Sequence, residues 1–141
     1  MTLREIIKGK GYEVIAVDGS LTVAEAVRKM VDRNIGSLLV MTEGGTSGMF
    51  TERDVLKCWA AGKLGEFPIS DVMTKDLIVV QASDSLEDAM TVMIQRGIRH
   101  LPVMDAGKIV SVLSMRDVVK AQVGQLQAEV HYLKEFLTAG G

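Results

Sequence analysis

The chain repeats itself at a fixed offset of 63 residues, and no other feature restricts its fold as tightly. "GMFTERDVLK" at 48–57 returns as "SVLSMRDVVK" at 111–120, so that Thr51 falls on Ser114 and Asp54 on Asp117. The same offset carries Val17 onto Val80, Ser20 onto Ser83, Ala26 onto Ala89, Met30 onto Met93, Val40 onto Val103 and Gly44 onto Gly107, with no gap from Ile15 to Lys57. Such a period marks two copies of one supersecondary unit, each too small to bury its apolar face alone. Packing one copy on the other about an approximate two-fold axis is the expected solution.

Each copy opens on a β-rich run, "EVIAV" (13–17) or "LIVV" (77–80). A helix follows, with Val23, Ala26, Val27, Met30 and Val31 matched by Leu86, Ala89, Met90, Met93 and Ile94 in the i, i+3, i+4, i+7 stripe of a buried face. Thr22 with Glu25, and Ser85 with Asp88, supply its amino-terminal caps. Then come "SLLVM" (37–41) or "HLPVM" (100–104), a Gly-containing turn, a second strand running into the repeated phrase, and a second helix. The fold class is therefore α/β in the α+β sense: two β-α-β-β-α repeats with pseudo-two-fold symmetry plus a long carboxy-terminal helix. Residues 1–70 hold the first repeat with an amino-terminal helix, and 71–141 the second with a helical extension. In that extension Val119, Val123, Leu126, Val130, Leu133 and Leu137 alternate at spacings of four and three, as in a coiled-coil seam. Two readings stand: packing against the chain's own repeats, or a homodimer seam.

Sixteen basic against 18 acidic residues leave a net charge of −2, which offers nothing to nucleic acid or an anionic membrane surface. The single cysteine, Cys58, rules out an internal disulfide, no Cys/His cluster has zinc spacing, and no apolar run reaches membrane-spanning length. A soluble protein of the reducing cytoplasm is expected.

The hydroxyl-x-x-acid pattern of "TERD" and "SMRD" is a capping box, and by itself it means only a helix start. Its position adds something. A hydroxyl where a strand ends and a helix begins stands beside free backbone N–H groups and the positive end of the helix dipole, and a carboxylate at the same edge accepts hydrogen bonds from a vicinal diol. Ribose and its phosphate suit that combination.

"GMFTERD", "SVLSMRD", the "DVMT" at 71–74 and the "IRHLPV" at 98–103 carry a resemblance. Each copy resembles a CBS domain, and the pair, from about Val14 to Lys120, resembles a stand-alone Bateman module. The resemblance implies two clefts between the repeats that take adenosine-containing ligands: AMP, ADP, ATP, NAD or S-adenosylmethionine. Carried across, Thr51 and Asp54 serve one cleft, completed by Lys75, Asp76 and Ile78. Ser114 and Asp117 serve the other, completed by Ile15 and Val17. Arg99 and His100, standing just before "LPV", are the implied phosphate partners, where the first copy has Gly36 and Ser37. Ser111 departs from the pattern by replacing the glycine that Gly48 keeps.

The leading reading is a regulatory module that senses an adenine nucleotide and signals to an unknown protein partner in trans. The alternative is a ligand-independent dimeric scaffold. Catalysis is not expected: no Ser-His-Asp, Cys-His or metal constellation is visible, and Cys58 beside Trp59 reads as helix packing.

Overall fold

The computed structural model describes residues 1–10 and 14–140. Two compact units emerge, Glu13–Ile78 and a second made of Met1–Tyr12 with Val79–Gly141. The amino-terminal helix α1 (Leu3–Lys10) thus belongs with the second copy, although it precedes the first in sequence and was grouped with it above. Its Leu3 and Ile7 are buried, Leu3 N–H donates to Asp84 O at 2.9 Å, and Leu86 N–H donates to Met1 O at 3.0 Å.

In the first unit β1 (Ala16–Asp18) pairs parallel with β2 (Ser37–Thr42), which pairs antiparallel with β3 (Gly45–Thr51). Helices α2 (Val23–Arg33) and α3 (Glu52–Ala61) complete it, followed by a 3-10 turn at Ile69–Asp71. The second unit copies this arrangement with β4 (Val80–Gln81), α4 (Leu86–Arg96), β5 (His100–Asp105), β6 (Lys108–Ser114) and α5 (Met115–Gly140). The likeness reaches detail. Both sheets shift register at the same place, after Val40 and after Val103. Both first helices end in a left-handed residue, Asn34 (φ 51°) and Gly97 (φ 63°), residue types that tolerate this conformation.

The opening strands are shorter than the β-rich runs predict. Glu13 lies outside the described residues, and in "LIVV" only Val80 enters the ladder. Pro102 explains the difference between the copies. Leu39 N–H donates to Ile15 O at 3.0 Å in the first unit, whereas its counterpart Pro102 has no N–H to offer Ile78.

Val17, Val23, Ala26, Met30, Leu38, Val40, Phe50, Cys58 and Ile69 form the core of the first unit. Leu86, Ala89, Met93, Leu101, Val103, Leu113 and Val118 are buried in the second. Two expected core residues are corrected: Val31 and Ile94, the last positions of their stripes, are 72% and 71% exposed. The helical stripe was right in period but too wide: Met30 and Met93 on the same turn are buried, and Val31 and Ile94, one residue further round the helix, fall off the covered face.

Gly48 and Ser111 occupy equivalent places with opposite surroundings. A Cβ on Gly48 would lie 2.6 Å from Thr74 O and 2.7 Å from Met73 Sδ, because backbone at Thr74 pairs with Met49 there. No described backbone pairs with Val112 in this way, so the second copy accommodates a side chain; Ser111 is fully buried and its hydroxyl has no hydrogen-bond partner among the described residues. Gly48→Ser should therefore destabilise by about 1–3 kcal/mol through overpacking. Ser111→Ala should be neutral or stabilising by up to about 1 kcal/mol, since it removes an unsatisfied polar group. Thermal unfolding of the two variants checks this, and equal effects would sink it.

Candidate functional site

Each repeated phrase forms a corner where a strand passes into a helix. At the first, Thr51 caps α3, and the capping box is complete: Asp54 N–H donates to Thr51 Oγ1, while Thr51 N–H donates to Asp54 Oδ2 at 2.9 Å. At the second, Asp117 N–H donates to Ser114 Oγ at 3.1 Å and Ser114 N–H to Asp117 Oδ2 at 2.8 Å. Even the residue that follows the cap is held alike, Glu52 N–H on Gly36 O and Met115 N–H on Arg99 O. The local reading of both phrases as helix starts is therefore correct.

What reaches each carboxylate differs. Asp54 is only 4% exposed, and the Thr74 hydroxyl lies 3.1 Å from Oδ1 and 3.2 Å from Oδ2. Thr74 also exchanges both backbone hydrogen bonds with Met49, each 2.9 Å long. In the second unit one ammonium group performs both tasks. Lys10 Nζ donates to the carbonyl of Val112, the counterpart of Met49, at 2.5 Å, and to Asp117 Oδ2 at 2.6 Å. One corner is thus lined by a buried carboxylate with neutral donors, and the other by a half-buried ion pair.

Burial alone would push the Asp117 carboxyl up, but the hydrogen bonds from Lys10 and Ser114 and the Lys10 charge together hold it below the ordinary carboxylate range. A carboxyl depressed in the folded state contributes stability above its unfolded value, near pH 4, and loses it as pH falls through the native value. The stability difference between the parent and Lys10→Met, at most about 1 kcal/mol, should be constant above about pH 5 and shrink below about pH 4. Denaturant titrations across that range measure it; a difference that grows on acidification would contradict the ion pair.

The other expected site residues are placed as follows. Arg99 is exposed, and His100, half-buried, lies opposite Ser114 in the β5–β6 ladder, so both stand beside the Ser114 corner of their own unit. Lys75 and Asp76, both exposed, and the half-buried Ile78 follow Thr74 in the unit of Asp54. Ile15 packs against the first unit's core. Val17 pairs with Val40 and is buried in that core. Thr74 and Lys10 went unsuspected as carboxylate partners. "DVMT" pointed towards the first, but nothing around Lys10 marked it. Cys58 is buried, and its thiol is pushed up by that burial and by the Asp54 charge, which suits packing rather than nucleophilic chemistry. Among the described residues there is no group of three or more potential metal ligands, and no helix is long and apolar enough to cross a membrane.

Comparison with known proteins gives this repeated corner a family. The model of the CBS domain matches twice, over residues 3–61 and 69–124. The CBS domain-containing protein YhcV of Bacillus subtilis is 34% identical over 117 residues, covering 82% of this chain and 84% of YhcV. The mitochondrial CBS domain-containing protein CBSX3 of Arabidopsis thaliana is 31% identical, covering 99% of this chain and 73% of its own. Among solved structures, a CBS-domain containing protein from Agrobacterium tumefaciens superposes with a TM-score of 0.82 at 30% identity, over 86% of this chain and 99% of that one. The CBS domain pair of protein MJ0100, in complex with 5′-methylthioadenosine and S-adenosyl-L-methionine, shares the fold with a TM-score of 0.78 at 21% identity, over 89% of this chain and 98% of that one. With the family model matched on both copies and the β-α-β-β-α unit present twice, the chain belongs to the CBS-domain family as a tandem pair.

Proposed function

We propose that this CBS pair is a regulatory module, not a catalyst, that binds an adenine nucleotide at its strand-to-helix corners and signals to a protein partner in trans. The observation that carries the proposal is the duplicated corner, in which hydroxyl, helix N–H groups and carboxylate meet at Thr51/Asp54 and again at Ser114/Asp117. A diol donates to such a carboxylate, and the phosphate of AMP, ADP, ATP or NAD finds cations at Lys10 and Arg99 and the imidazole of His100 on the second corner, and a cation at Lys75 near the first. The adenosyl ligands of the MJ0100 pair support the ligand class, and S-adenosylmethionine belongs to it. Self-association is part of the same proposal, because Val31, Leu56, Trp59 and Ile94 are exposed in the single chain along with most of α5.

A second reading has an observation of its own. Both carboxylates are already satisfied by the chain, as a ligand-independent scaffold requires. Native mass spectrometry of the purified protein, followed by calorimetry with AMP, ATP, NAD and S-adenosylmethionine, separates the two. A co-purifying adenosyl ligand, or micromolar binding of one of the four, supports the sensor; no binding of any at millimolar concentration leaves the scaffold.

A further inference from the structure

The helix α5 outruns its own unit. Val118 is buried and the start of the helix packs on α4, but from Leu126 to Gly140 every residue is exposed. Along it Val119, Val123, Leu126, Val130, Leu133 and Leu137 are between 45% and 71% exposed, and they line one face of three heptads at spacings of four and three. A 3.5-residue repeat sustained over roughly 27 Å fits a second helix running beside the first; a globular surface has no use for the period.

Residue types within the seam select the partner. Numbering the heptad so that Val123, Val130 and Leu137 are a positions makes Val119, Leu126 and Leu133 the d positions. At the central layers valine stands at a (Val123, Val130) and leucine at d (Leu126, Leu133), which among parallel coiled coils favours two strands. The flanking charges choose the direction. In a parallel pair the g-position Glu129 faces the e-position Lys134 of the other copy, twice by symmetry. A fully overlapping antiparallel pair would instead set Lys120 against Lys134 and Glu129 against Glu129. His131 and Glu135, 3.2 Å apart, occupy the outer face and leave the seam alone.

We infer that α5 zips to α5 of a second copy as a parallel, two-stranded coiled coil. This rests on the self-association proposed above but not on any ligand. It makes the two chains' helices start side by side and end side by side, so the dimer axis runs along α5.

Single cysteines at d positions test it, with the buried Cys58 of the parent as the uncrosslinked control. Under mild oxidation Val119→Cys and Leu133→Cys should each form covalent dimers in high yield, because a d residue meets its own copy in a parallel pair. Neither alone crosslinking, with a mixture of Val119→Cys and Leu137→Cys doing so, would overturn the parallel direction while leaving self-association standing. Sedimentation of the parent as a monomer at tens of micromolar would overturn both. Lys134→Glu separates the directions again: it should weaken association roughly fivefold in the parallel pair by replacing two attractions with two repulsions. Strengthening would point to the antiparallel pair, where it relieves the clash with Lys120. Finally, Leu126→Glu with Leu133→Glu should abolish the crosslink of Val119→Cys; an unchanged yield would take the seam out of the interface.

Discussion

Asp54→Ala will unfold the first unit more readily, lowering stability by about 2–4 kcal/mol. The side chain is nearly fully buried and receives the Thr51 N–H, the Thr51 hydroxyl and the Thr74 hydroxyl. Alanine keeps the Thr51 cap but removes the carboxylate half of the capping box, and the part-buried Thr51 N–H and the Thr51 and Thr74 hydroxyls lose a charged acceptor, a bond to which is worth about 1.5–3 kcal/mol. Asp54→Asn is the cleaner probe of binding: it keeps an oxygen for the Thr51 N–H, turns the other into an NH2 that the Thr74 hydroxyl can accept from, and removes the charge, so the fold should survive while affinity for an adenosyl ligand falls roughly tenfold or more. Thermal unfolding and calorimetry on the same two variants decide the matter. Asp54→Ala as stable as the parent would refute the buried network, and Asp54→Asn binding as tightly as the parent would refute the diol contact.

At the second corner the largest effect should come from Lys10. Its ammonium is held by Asp117 in the ligand-free chain, and a phosphate offers it a second anion at the same place. Lys10→Met keeps the length of the side chain and discards the charge. AMP binding at this corner should weaken roughly 10- to 100-fold through the lost charge-assisted hydrogen bond, whereas adenosine, which has no phosphate and no longer competes with an ion pair for Asp117, should bind as well as before or better. The ratio of the two affinities is therefore the measurement, and raising salt should compress it in the parent. A ratio unchanged by the substitution would leave Lys10 as a structural clamp. Arg99→Ala, tested in parallel, reports whether the exposed guanidinium shares the phosphate.

These expectations differ between two corners that the sequence writes almost identically, and the reason is physical. Capping boxes and helical stripes depend on residues three or four apart, so Thr51 with Asp54 and Ser114 with Asp117 were legible one copy at a time. The duplication was legible too, because an offset needs no structure. The lengths of β1 and β4 were not, although Pro102 was in plain view: the missing donor matters only once the ladder shows that it should have met Ile78.

What reaches a carboxylate from far along the chain belongs to tertiary structure alone. Lys10 lies 107 residues from Asp117 in sequence, inside "KGKG", where periodicity and composition are silent. It arrives because α1 buries Leu3 and Ile7 in the second unit and so carries its last residue to the strand-to-helix corner. Thr74 arrives at Asp54 by backbone pairing with Met49, which at once explains why Gly48 must be glycine and why Ser111 need not be. Short-range chemistry made the two corners alike. Burial of two unrelated segments, driven by apolar area rather than by the site, made one corner a buried carboxylate among neutral donors and the other a half-buried ion pair.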